Sequence, residues 1–168
     1  MTRALLVGAA SAALLLALTG CGGDGDEAGA EQLRAYRVAL EPVVAEVTAV
    51  EAEVVERAVG STGVATAANL DAVYRDVRPR LLEALVELDR IAPPGRVADV
   101  HEAVRRLIVL RLDAYARVMT GYASGDESLY AGAEDLLRRA NALIPEINAR
   151  LCEVDVALGD RDNCRLVG

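Results

Sequence analysis

Four stretches of this chain place apolar residues at helical spacing, the first in strictly alternating steps of three and four, and that spacing limits the possible folds more than any other feature. In the first stretch Leu33, Tyr36, Leu40, Val43, Val47, Val50 and Val54 fall on one stripe of an α-helix. The second carries Leu70, Val73, Tyr74, Val77, Leu81, Leu85 and Leu88. The third carries Val97, Val100, Val104, Leu107, Ile108, Tyr115, Val118 and Tyr122, and the fourth Leu129, Ala133, Leu136, Leu137, Ala140, Ile144, Ile147 and Leu151. Punctuation between the stretches predicts helices over about 30–59, 66–91, 96–122 and, after a cap, up to 158. Gly60-Ser61-Thr62-Gly63 stops the first. Pro93-Pro94-Gly95 stops the second, because proline cannot continue a helix and disfavours helix in the residue before it. Ser124-Gly125-Asp126-Glu127 matches a capping box ahead of the fourth.

The polar faces support the same reading. Glu53/Arg57, Asp71/Arg75, Asp76/Arg80, Glu102/Arg106, Asp113/Arg117, Glu134/Arg138, Asp135/Arg139 and Glu146/Arg150 each place an acid four residues before an arginine. In that orientation a pair supports a helix by about 0.2–0.5 kcal/mol. The aromatic share is 3%, all of it tyrosine, so an aliphatic core must be packed closely. That suits helices better than strands. Short connections between long helices predict an all-α, antiparallel up-down-up-down four-helix bundle. Pro42, Pro79 and Pro145 fall inside the helices, where each is expected to kink or divide its helix.

Ahead of the bundle, Arg3 is followed by an uncharged run from Ala4 to Leu18. A membrane span needs roughly 20 apolar residues, so this run is short for a span and suited to the apolar part of an export signal. It ends in Leu18-Thr19-Gly20-Cys21, which resembles the lipobox of bacterial lipoprotein precursors. The resemblance implies cleavage of residues 1–20 and a thioether-linked diacylglycerol on Cys21, with the long acyl chains of a palmitate-type anchor. Two such chains give stable membrane anchoring where one is marginal. Residues 21–29, rich in glycine and acid, then read as a lipidated flexible tether. The implied location is the extracytoplasmic face of a cell membrane: the outer leaflet of the plasma membrane, or the periplasm or outer membrane where two membranes are present.

If Cys21 carries lipid, Cys152 and Cys164 remain as an even pair in an oxidising compartment, which reads as a disulfide. It would tie the tail, residues 159–168, back onto the fourth helix of the 30–158 bundle. All eighteen basic residues are arginine and the precursor's net charge is −8. Cleavage removes Arg3 and no acid, leaving −9. Such a chain is repelled by nucleic acid, so membrane contact is expected to come from the anchor.

Catalytic constellations are absent from the pattern. His101 is the only histidine and the one candidate for a polar site. Met119 lies eighteen residues further along the same helix, roughly 27 Å away, so the two cannot share a haem iron. No covalent-haem or Glu-x-x-His signature occurs. Ser61, Ser124 and Ser128 lack a nucleophile-elbow context, and the carboxylates Glu46, Glu51, Glu83 and Glu87 read as solvated or flanking. No cofactor, metal or catalytic residue is assigned, and the chain is not expected to be an enzyme. Leu88-Asp89-Arg90-Ile91-Ala92-Pro93-Pro94 followed by His101 is similar to a pattern in helical lipoproteins and secreted proteins, which implies no particular activity. The expected role is a non-enzymatic binding or interaction module of the cell envelope, with an envelope protein as partner. A carrier of a small molecule or lipid between kinked helices is the second reading, and an envelope-stress or chaperone-like protein the third.

Overall fold

In the computed structural model, residues 24–59 and 65–159 are described, and they form four long helices without a strand. Helix α1 (Asp24–Val54) passes directly into a π-helical turn at Val55–Val59. Helix α2 (Ala67–Arg90) follows, then a 3₁₀ turn at Gly95–Val97, α3 (Ala98–Ser124) and α4 (Ser128–Ala157). Each helix packs along its neighbour in the chain, α1 with α2, α2 with α3 and α3 with α4.

Sequence spacing and burial agree closely on α2 and α3. Val73, Tyr74, Val77, Leu81 and Leu88 are buried, as are Val97, Val100, Val104, Leu107, Ile108, Tyr115 and Val118. Tyr122 departs from its expected inward place and is exposed, since it lies in the last turn of α3 beyond the reach of the core. More residues of α3 are buried than one stripe accounts for: Leu110, Arg111, Leu112 and Ala114 are also enclosed. A helix apolar around much of its girth is one with neighbours on several sides, and α3 occupies that place.

Several boundaries differ from the expected ones. Helix α1 begins at Asp24 rather than near Ala30, so the flexible tether expected over 21–29 is helical from Asp24 onward. Glu27 falls in its first turn, where negative charge complements the helix dipole. Thr66 caps α2 by accepting a hydrogen bond from the Asn69 backbone N–H at 3.2 Å. The capping box expected at Ser124 takes another form. Ser124 closes α3 and donates its hydroxyl to the Thr120 carbonyl, and Gly125 adopts φ +70°, a conformation glycine takes without strain. Asp126 lies two residues before α4, its Oδ1 accepting from the Ser128 N–H at 3.0 Å, and the N-cap position itself is held by Glu127 without a side-chain cap. The turn is tight: a Cβ on Gly121 would lie 2.9 Å from the Asp126 carbonyl oxygen.

Pro42, Pro79 and Pro145 lie inside α1, α2 and α4, all three with exposed rings. The arginines do more than brace their own helices. Arg75 holds Asp71 through two 2.9 Å hydrogen bonds as the four-residue spacing suggests. Arg80, by contrast, reaches from α2 to Glu46 and Glu53 of α1 at 2.6 and 2.5 Å rather than pairing with Asp76. Arg57 holds Glu53 and also bridges to Asp76. Arg105 of α3 reaches Asp89 of α2 at 2.8 Å. A guanidinium on a long stem spans the gap between adjacent helices, so these charges join neighbours as well as turns. Cys21, Ser61, Cys164 and the helix stop at Gly60-Ser61-Thr62-Gly63 lie outside the described residues.

Candidate functional site

The sequence-level candidate, His101, sits in the first turn of α3 and is buried. Its Nδ1 and the Tyr36 hydroxyl of α1 share a hydrogen bond of 3.5 Å, and the two ring centroids are 6.0 Å apart. Burial holds its imidazole below the ordinary value of 6.5, opposed more weakly by Asp89 and Glu102, while Arg105 adds to the lowering. Burial also pushes the Tyr36 hydroxyl up to about 12, with Asp99 adding to the effect. Both groups are thus held neutral at pH 7, an arrangement that joins α1 to α3. Ser124 lies at the opposite end of α3, roughly 35 Å away at 1.5 Å per residue, so it forms no pair with this histidine. Among the described residues, no three His, Cys, Asp or Glu side chains gather to hold a metal ion.

A different site lies midway along the bundle. Val44, Val47, Thr48 and Glu51 of α1 face Ile144, Ile147 and Asn148 of α4 across a groove. Its floor is Val104, Leu107 and Arg111 of α3, and its volume is about 290 Å³. The groove exists because α1 packs closely along α2 but much less against α4. At one end the gap is bridged by Arg37 and Asp155, whose Nε and Oδ1 are 2.9 Å apart, with Asp155 buried.

Arg111 gives this apolar groove its polarity. It is only 3% exposed, in a run of apolar residues on the most enclosed helix. Nη1 forms an ion pair with Glu51, and Nη2 donates to Asn141 Oδ1 at 3.2 Å. Nε has no hydrogen-bond partner among the described residues. Burial pulls the guanidinium below the ordinary arginine range, and nearby Tyr115 acts in the opposite direction. An arginine nevertheless stays charged in a protein, so the groove contains a fixed cation with unused donor capacity. The Glu51 side chain, 31% exposed, reaches this cation from the groove's rim. Glu51 reads from sequence as a solvated flanking acid, whereas its structural role is as the partner of a buried charge.

Arg111 carries no motif. The signal that locates it is the run Leu107-Ile108-Val109-Leu110-Arg111-Leu112, where one charge interrupts a segment apolar on all sides. A second cleft, about 520 Å³, runs between α1 and α2 beside Pro42, but Glu46, Arg80, Glu83, Glu87 and Arg90 line much of it. Arg80 and Glu46 already satisfy one another there. No helix of the described residues is long and apolar enough to cross a membrane. No protein-family model, curated protein or solved structure matches the chain.

Proposed function

We propose that this chain is a lipid-anchored, extracytoplasmic binding module whose ligand seat is the groove between α1 and α4. The observation that carries this reading is the apolar volume of about 290 Å³ built around the buried Arg111. Ligand sites are concave, mostly apolar and furnished with a few well-placed polar groups, and the groove has that composition. An interaction module would instead favour a contiguous exposed apolar patch. Leu82 and Val86 are exposed one turn apart on α2, but Val38, Val55, Tyr122 and Val156 are exposed on other elements. The binding reading is therefore preferred to an envelope-protein partner or a chaperone-like role.

The fold in this proposal is an antiparallel bundle. Support comes from which residues meet: Arg37 with Asp155, and Glu51 with Asn141 through the shared Arg111, across α1 and α4, and Glu46 with Arg80 and Arg57 of the π-helical turn with Asp76 across the first two helices. Numbers that rise on one helix fall on its neighbour. Pro42 and Pro145 would bow α1 and α4 away from one another and keep the groove open. Lipid on Cys21 would hold the bundle at a membrane, and a Cys152–Cys164 disulfide would fasten the tail to α4.

Two measurements test this reading. Mass spectrometry of molecules released from the protein purified under native conditions should find a small amphiphile at near-stoichiometric amounts, and a persistently empty protein would count against it. Cys21→Ser should move the chain from the membrane fraction to the soluble fraction; retention in the membrane would remove the lipid anchor from the proposal.

A further inference from the structure

Taking the groove as a ligand seat, we infer that its ligand is a single-chain alkyl carboxylate, with the carboxylate on Arg111 and the alkyl chain against the valine, leucine and isoleucine walls. The inference rests on which of the two paired charges is able to move. Arg111 projects from the most enclosed helix and is 3% exposed, so its guanidinium is held inside the bundle at the groove's floor. The Glu51 side chain is 31% exposed at the groove's rim. Rotation toward solvent restores its hydration while leaving its backbone in place. The charge that stays is positive, and the group that replaces Glu51 must be negative to avoid stranding a buried cation.

Two further features narrow the ligand. The Nε–H, unpartnered among the described residues, lies on the guanidinium edge it shares with Nη2, which donates to Asn141; a carboxylate that displaces Asn141 from Nη2 gains a paired site that Glu51 leaves unused. At roughly 30 Å³ per water-sized group, the 290 Å³ of the groove holds about ten such groups. One alkyl chain of medium length fills that space. Val44, Val47, Val104, Leu107, Ile144 and Ile147 form a wall with no charge, suited to the chain. Glu51 on this account is a built-in stand-in for the ligand's headgroup, keeping Arg111 paired while the groove is empty.

The test is equilibrium dialysis of labelled decanoate, 1-decanol and decyltrimethylammonium against the full chain anchored in phosphatidylcholine nanodiscs, with empty discs as the partition blank. Decanoate should bind one to one and at least tenfold more tightly than decanol. Glu51→Gln, which removes the competing carboxylate and keeps the side chain's size, should strengthen decanoate binding at least tenfold and change decanol binding no more than twofold. Arg111→Gln, where it folds, should bring decanoate down to the level of decanol. Equal binding of decanoate and decanol, unchanged by Glu51→Gln, would overturn the carboxylate assignment while leaving the groove as an apolar seat. Preference for decyltrimethylammonium would overturn it by making Glu51 the anchor. Binding of none of the three above the blank would overturn the ligand-seat reading itself.

Discussion

Between α2 and α3, Tyr74 and Tyr115 stack with centroids 3.9 Å apart and planes 12° from parallel, and Leu81, Leu88 and Ile108 are wholly enclosed. Between α1 and α4, the same central helix lies beneath a groove whose walls, Val44, Val47 and Ile144, are only partly buried. One seam is filled by side chains from both helices; the other is spanned at one end by an ion pair at Arg37–Asp155 and holds an open groove midway. The difference suggests a division of labour. Close packing in the α2–α3 seam supplies stability, which lets the α1–α4 seam forgo part of its packing and hold a buried charge.

That division is broken most sharply by cavity formation. Leu81→Ala should destabilise the fold by about 2–5 kcal/mol, read from denaturant midpoints, because Leu81 is fully enclosed. Val47→Ala in the groove should cost about 1 kcal/mol or less, since its side chain already borders open space. Equal costs at the two positions would mean that the seams are packed alike.

The next largest effect belongs to the buried pair. Glu51→Gln leaves Arg111 without its counter-charge, and breaking a buried pair costs about 3–5 kcal/mol. Partial exposure of Glu51 reduces the expected loss to about 2–3 kcal/mol. The double change Glu51→Leu with Arg111→Met should be much closer to neutral, because it removes both charges and keeps comparable volume. A double variant as unstable as Glu51→Gln would show that packing, rather than charge pairing, governs this site.

Smaller effects come from the bundle's ends. Thr66→Ala should cost about 1 kcal/mol by removing the cap of α2. His101 predicts a pH dependence of definite sign. Its folded value lies below 6.5, so the unfolded chain takes up a proton first as the pH falls. The stability held above pH 6.5 is therefore lost as pH falls through 6.5 toward the folded value, below which this contribution is constant. Melting temperatures of the native protein and His101→Gln, compared between pH 7.5 and 5, should show a shallower fall in the variant. Parallel curves would remove His101 from the linkage.

The four helices were legible because each one's core stripe recurs at helical spacing, and Pro93-Pro94-Gly95 marks the end of the second. Periodicity identifies a buried stripe without saying how many sides of a helix are covered. Leu110, Leu112 and Ala114 were missed for that reason: they lie off the stripe of α3 and are buried by additional neighbours. The groove was less legible still. Its walls have the same residue types as a filled core, and only the third dimension shows that α1 stands away from α4. Arg111 and Glu51 are sixty residues apart, with no motif to join them. The acid–arginine spacing was a sound guide to helices and a partial guide to partners, as the reach of Arg80 to Glu46 and Glu53 illustrates.

The contrast between the two seams is tested most directly by methyl NMR of the full chain in nanodiscs during titration with decanoate. Shifts should concentrate on Val44, Val47, Ile144 and Ile147, with Leu81 and Leu88 unchanged and saturation at one equivalent. Shifts centred instead on Leu82 and Val86, or spread evenly over both seams, would contradict a ligand seat between α1 and α4.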